Sequence, residues 1–294
     1  MSAIAAFRIG ARLSLATTLL LYGLIVLGSV VRTTGSGLAC PDWPLCHGRL
    51  IPPLEANVLI EWFHRLVALL VSVLLSATVG WVGFHRALRS RLGGLAALAL
   101  GLLAAQVLLG ALTVWKLLSP AVVSGHLIVA LLLFATLLTL TMAARAEADP
   151  EIAPREPRPP GLLATCAIAT VLGYGQSLLG GLVSTQHAGL ACPDWPTCNG
   201  RWFPPLAGLE GLQMLHRTGA YALTAMMFVL ASRSRRAADP AVRAGGSLAL
   251  GLTLAQIALG VTNVLLGTPV WLSAAHLATA AAILGLGSVC EPST

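Results

Sequence analysis

The chain has 294 residues, of which 56% are hydrophobic and only 10% charged, a balance too apolar for a soluble globular domain and suited to a protein that lives in a bilayer. Its formal net charge of +7 would suit a nucleic-acid binder, but Lys116 is its one lysine and most arginines lie between apolar runs instead of in a patch. Membrane topology accounts for that charge, and nucleic acid is excluded as a partner.

Apolar runs of about 20 residues, the length that crosses a hydrocarbon core of about 30 Å, occur in chain order at Leu13–Val31, Val58–Val82, Leu92–Trp115, Pro120–Ala144, Gly161–Val183, Leu212–Ala231, Gly245–Leu266 and Pro269–Val289. The first is too long for a signal peptide, and it aligns with the fifth, which lies mid-chain and cannot be one. Arg8 and Arg12, then Arg86, Arg89 and Arg91, then Arg145, Arg155 and Arg158, then Arg233, Arg235, Arg236 and Arg243 fall on one side of these spans. Arg32, Arg49, Lys116 and Arg201 fall on the other. The positive-inside rule then predicts cytoplasmic termini.

Between the first two spans runs GLACPDWPLCHGR (Gly37–Arg49), and between the fifth and sixth runs GLACPDWPTCNGR (Gly189–Arg201), differing at two positions. This is an internal duplication. It extends further: HRLVALL at His64 answers HRTGAYAL at His216, and AQVLLG at Ala105 answers AQIALG at Ala255. His126 and His276 each follow the glutamine of the latter motif by twenty residues. The charged, proline-rich stretch Arg145–Pro160 separates the copies. The predicted fold is all-α and integral to the membrane: eight transmembrane helices in two four-helix bundles, residues 1–144 and 161–294, with a cytoplasmic linker at 145–160. An even number of crossings per repeat predicts a pseudo-twofold axis along the membrane normal, and places both cysteine loops outside the cytoplasm.

Histidine within a transmembrane span is costly and defaults to function. His64 and His216 are expected roughly one turn inside the outer ends of the second and sixth spans, and His126 and His276 roughly two turns inside those of the fourth and eighth. Each half thus offers two imidazoles at similar depth on two helices, the geometry for holding a haem iron by both axial positions. The competing readings are helix-packing histidines and a zinc site, the latter requiring two bundles to converge on one ion. His47, His187 and His85 read as solvated. Arg65 and Arg217, each after a histidine, could reach water or meet a haem propionate.

Cys40 and Cys46, and Cys192 and Cys198, each enclose five residues in a loop assigned to an oxidising compartment. That favours two local structural disulfides over a redox-active pair or metal ligation. With flanking prolines and with Trp43 or Trp195 between the cysteines, each loop can cap its bundle at the interface. Cys166 and Cys290 read as small packing groups. The repeat breaks at Glu61, which becomes Gln213. Three residues before the histidine, Glu61 shares a helix face with His64, where a carboxylate can move protons or stabilise positive charge. The alternative is a hydrated, interfacial Glu61. This asymmetry assigns chemistry to the first half and a permanent cofactor to the second.

The duplicated GLACPDWPxC loops, the ExxHR on the second span and the four matched histidines resemble the haem A synthase family over nearly the whole chain. The resemblance implies a bacterial inner-membrane enzyme that oxidises a porphyrin methyl of haem O to a formyl group through hydroxylated intermediates, for cytochrome oxidase. It implies haem b held by His216 and His276, haem O held between His64 and His126, and Glu61 in the catalytic site. Haem O synthase and oxidase assembly factors are the implied partners, beside membrane lipid. The rival classes are a diheme electron-transfer cytochrome and a haem transporter or chaperone.

Overall fold

A computed structural model describes residues 2–149 and 159–289. Cys290, Arg155 and Arg158 lie outside the described residues, with most of the expected linker. The helices are α1 (Ala3–Thr33), α2 (Ala56–Phe84), α3 (Arg86–Trp115), α4 (Pro120–Ala148), α5 (Leu162–Thr185), α6 (Gly208–Ser234), α7 (Pro240–Leu265) and α8 (Val270–Val289). Among the described residues there is no strand beyond one isolated bridge in each cysteine loop. Each expected apolar run is a helix, extended in most cases by polar turns at its ends. Ser2 caps α1, its hydroxyl accepting from the Ala5 amide at 3.3 Å. Asp239 caps α7 ahead of Pro240, accepting from Ala241 at 2.7 Å.

Six helices, α1 to α5 and α7, are long and apolar enough to cross a membrane, and the chain is a multi-pass membrane protein. α6 departs from that pattern because Glu210, Gln213, His216, Arg217 and Arg233 dilute its apolar run. In α8 the apolar stretch is the shorter Val270–Leu286.

The described residues group into two units, 2–115 with 129–149, and 116–128 with 159–289. In the first unit α1 packs on α2 and α2 on α3. The C-terminal part of α4 joins α1 through the Tyr22–Phe134 ring contact, centroids 5.7 Å apart. Leu21, Leu75, Leu88, Leu131 and Leu137 are fully enclosed there. Hydroxyls tie the helices where apolar surface alone gives no drive to associate in lipid: Thr17 to Thr78 at 3.1 Å and Thr18 to Thr141 at 3.4 Å, each worth about 0.6 kcal/mol.

In the second unit α5, α6, α7 and α8 form a ring in which α8 returns to α5. Leu162, Cys166, Ala169, Leu223, Met227, Leu230, Ala249 and Ile283 fill one end of it, so Cys166 is a packing group. The first turns of α4, which carry His126, belong to this unit, with the Ser124 hydroxyl 3.4 Å from that of Thr185 on α5. Leu19, Val73 and Val171 point outward from their helices, as a lipid-facing surface requires.

Candidate functional site

The cysteine loops are small folded units. Cys40–Cys46 and Cys192–Cys198 are both disulfides, so the local pairing expected from their spacing is present. After each second cysteine the chain reverses through two residues of positive φ, His47 and Gly48 or Asn199 and Gly200. Backbone bonds from Cys46 to Arg49 and from Cys198 to Arg201 close the two turns, in the pattern that Asn-Gly favours. Asp42 accepts from the amides of His47 (2.6 Å) and Gly48 (2.7 Å). Asp194 accepts from Asn199 (2.6 Å) and Gly200 (3.0 Å) and from the Thr197 hydroxyl. The Thr197 hydroxyl, with the amides of Gly200 and Asn199, holds the Asp194 carboxyl down at about 2. The Gly48 and His47 amides and the Arg65 charge lower that of Asp42.

His47 is exposed as expected, and Asn199 is its counterpart in the other repeat: the His47 ring Nε2 is 2.9 Å from the Ala39 carbonyl, as the Asn199 amide is 3.0 Å from that of Ala191. His187 is exposed. His85 is half-buried, its Nδ1 2.8 Å from the Trp81 carbonyl and its ring tilted against that of Trp81 with centroids 4.2 Å apart, so it is an anchored side chain and not a solvated one.

Both arginines turn onto the cysteine loops. Arg65 Nη1 donates to the carbonyls of Asp42 and Leu45 at 2.6 Å each, and Nη2 donates to the Cys40 carbonyl at 2.9 Å and to Glu61 Oε1 at 2.5 Å. All four terminal N–H groups are committed to the loop and its carboxylate. Arg217 repeats the arrangement, donating to Thr197 at 2.8 Å and Cys192 at 2.7 Å. Glu61 is only 4% exposed, and its Oε2 accepts from the Cys40 amide at 2.8 Å; a hydrated, interfacial carboxylate is ruled out. Gln213 is buried likewise but donates to the Gly189 carbonyl at 3.3 Å. The repeat therefore breaks where one loop is clamped by a charge and the other by a neutral amide.

His64 and His216 stand eight residues after Ala56 and Gly208, the first residues of α2 and α6, while His126 and His276 stand six after Pro120 and Val270. At about 1.5 Å per residue this is about 12 and 9 Å. The first pair is thus somewhat deeper than its apolar run suggested, because α2 and α6 begin in the polar turns before that run. All four are partly accessible. Three face a glycine on the neighbouring helix. A Cβ placed on Gly28 would lie 3.4 Å from His64 Cε1, one on Gly180 3.0 Å from His216 Cε1, and one on Gly260 2.9 Å from His276 Cε1. His64 belongs to the first unit and His126 to the second.

In the second unit His216 stands on α6 and His276 on α8, each facing a glycine of the preceding helix. His216 Nδ1 is 3.0 Å from the Gln176 amide nitrogen on α5, which also donates to the His216 carbonyl at 2.8 Å. Two imidazoles from different helices of one ring, each given room by a glycine, fit an iron porphyrin ligated on both faces. A bare ion is poorly served: among the described residues no cluster of three or more His, Cys, Asp or Glu side chains could hold one.

The sequence reading passed over Gln176 and the facing glycines. Gly28 and Gly180 occupy equivalent repeat positions, and so do Gly110 and Gly260, but 30 glycines in the chain hide the signal. Gln176 was findable as an amide in the middle of an apolar run.

The cytochrome oxidase assembly protein family, COX15-CtaA, matches residues 11–287. The chain is 32% identical over 322 residues to a heme A synthase of Methylobacterium nodulans, covering 92% of this chain and 88% of that one. It is 32% identical over 253 residues to the heme A synthase of Symbiobacterium thermophilum, covering 84% and 83%. With that of Shouchella clausii it shares 32% over 262 residues, covering 86% of each.

Proposed function

Because this chain belongs to the COX15-CtaA family of cytochrome oxidase assembly proteins, we propose that it is a haem A synthase, a membrane oxidoreductase that converts the haem O ring methyl to a formyl group through hydroxylated intermediates. That conversion removes four electrons and adds one oxygen. Side chains alone do not perform it, and a haem iron supplies the redox capacity when bound.

What the chain's own residues do is bind, orient and enclose. His216 and His276 hold haem b as resident cofactor. His64 and His126, the matching pair in the first repeat, ligate the substrate haem. Glu61 lies one turn from His64 with both carboxylate oxygens engaged, so it acts by seating the disulfide loop and Arg65 over that part of α2. The eight helices cross the membrane as two four-helix bundles, with the termini cytoplasmic and the cysteine loops outside. Haem O synthase and oxidase assembly factors are the corresponding partners.

The observation that supports this reading best is the His216–His276 pair within one helix ring, each imidazole facing a glycine. Mass analysis of haems from cells producing this chain with a haem O synthase tests it. A formyl porphyrin is expected. Unchanged haem O beside a bis-histidine spectrum would favour an electron-transfer cytochrome or a haem carrier.

A further inference from the structure

Two stretches that the proposed reaction does not use are built alike, and each begins where a cysteine loop ends. After the turn closed between Cys46 and Arg49 runs Leu-Ile-Pro-Pro-Leu (residues 50–54), and after that between Cys198 and Arg201 runs Trp-Phe-Pro-Pro-Leu (residues 202–206). Leu50, Ile51 and Leu54 are 80%, 73% and 82% exposed, and Trp202, Phe203 and Leu206 are 66%, 96% and 81% exposed. The backbone beneath them is held. The first proline of each pair, Pro52 or Pro204, is buried, and in the first copy the Trp62 indole donates to the Leu50 carbonyl at 2.8 Å. Each stretch is thus a fixed strap that presents apolar side chains outward, and in water such a patch is costly.

Three observations decide what covers them. Leu54 stands two residues before Ala56 and Leu206 two before Gly208, the first residues of α2 and α6. The straps therefore lie where those helices enter the bilayer, for α6 on the reading that it spans. The repeat is also informative, since the loop ahead is copied almost residue for residue while Leu-Ile becomes Trp-Phe. A protein partner reads shape and would hold those side chains fixed, whereas lipid asks only for apolar area, because the hydrophobic effect is non-directional. Lastly, the prolines bring no N–H groups that lipid would leave unsatisfied. The exposed Arg49 and Arg201 precede the straps, with no other charged residue before Glu55 and Glu210, so a cation stands ready for lipid phosphate beside an uncharged apolar run. We propose that residues 50–54 and 202–206 are two interfacial anchors, which sink their apolar side chains into the headgroup–acyl boundary of the leaflet at the loop end of the helices and so fix the depth of each disulfide loop. The occupant is phospholipid, and the indole of Trp202 suits that boundary. The proposal is independent of the haem assignment.

The test uses the full-length protein in vesicles of phosphatidylcholine and phosphatidylglycerol, with acyl chains either plain or brominated near the carbonyl end, where bromine quenches an indole it touches. The emission of Trp202 is read as the difference between the wild type and Trp202→Phe. It should lose most of its intensity in the brominated vesicles and resist acrylamide added to the water. Leu50→Trp copies the second strap into the first and should add an emission that behaves in the same way. Phe203→Asp should lift its strap, so that Trp202 shifts to the red and opens to acrylamide, while Phe203→Leu should match the wild type. At 96% exposure Phe203 gives up little packing in either variant. Trp202 emission quenched by acrylamide and not by brominated lipid would place the strap in water and overturn the proposal. Resistance to both quenchers would overturn it in favour of a protein cover, and a dependence of that resistance on the protein-to-lipid ratio would identify the cover as a second copy of this chain.

Discussion

Glu61→Gln replaces a buried carboxylate with the residue that the second repeat carries at Gln213. At Glu61 the structure shows two charge-assisted bonds, from the Cys40 amide at 2.8 Å and from Arg65 at 2.5 Å. Glutamine keeps one acceptor for the Cys40 amide, but its NH2 cannot serve Arg65. Arg65 retains three carbonyl acceptors, and its side chain is 16% exposed, so it is not stranded as a bare buried charge. The loss is therefore about one hydrogen bond to a charged group, about 1.5–3 kcal/mol, well short of the cost of leaving an unpaired buried ion. The protein folds, and loop opening becomes about ten- to a hundredfold more frequent. Reduction of Cys40–Cys46 by a water-soluble thiol, followed by mass spectrometry of alkylated peptides, reads this directly. Cys192–Cys198 in the same molecule is the internal control. The expected result is faster reduction of the first disulfide alone, normal b-type haem and severely reduced haem A with haem O accumulating. An unchanged reduction rate would refute the clamp, full haem A production would refute a role in turnover, and loss of b-type haem would mean the two halves are assigned in reverse.

His216→Ala or His276→Ala should abolish the b-type haem, and an unaltered bis-histidine absorption spectrum in either would sink the ligand assignment. Gly180→Ala places a Cβ 3.0 Å from the His216 ring and Gly28→Ala one 3.4 Å from the His64 ring. The first should cost about 1–3 kcal/mol as an overpacked contact and shift the haem spectrum, while the second should leave that spectrum alone. The Asp194 carboxyl is lowered from its ordinary value to about 2, so its support of the loop is complete above the unfolded value of about 3.9 and disappears as pH falls through about 2. Trp195 fluorescence should be flat above about pH 4 and change only below it; in Asp194→Asn that transition should be absent, and its persistence there would assign it to another group.

The helices were legible because a span must be apolar over a fixed length, and the polar turns at their ends were not, because no hydrophobic run marks them. The disulfides could be read from a five-residue spacing in a compartment assigned by arginines. The loop contacts of Arg65 and Arg217 were hidden for a physical reason: they pair with backbone carbonyls, which every residue has, so the sequence carries no trace of the partner. The burial of Glu61 was hidden similarly, since one of its partners is the Cys40 amide. His47 and Asn199 look unrelated as side chains and are equivalent as turn residues before a glycine. The repeat did expose the histidines, since four matched polar positions in apolar runs stand out without any structure.

Each arginine that grips a cysteine loop is the residue directly after a histidine. The loop and the histidine-bearing turn of the helix are therefore one mechanical piece, with no slack joint between them. A pull on residues 40–45 therefore meets α2 at Arg65, next to the backbone that carries His64. The second loop makes the same linkage through Arg217 to His216. The cysteine loops are thus handles as much as covers, since whatever displaces one acts next to the histidine that precedes its arginine.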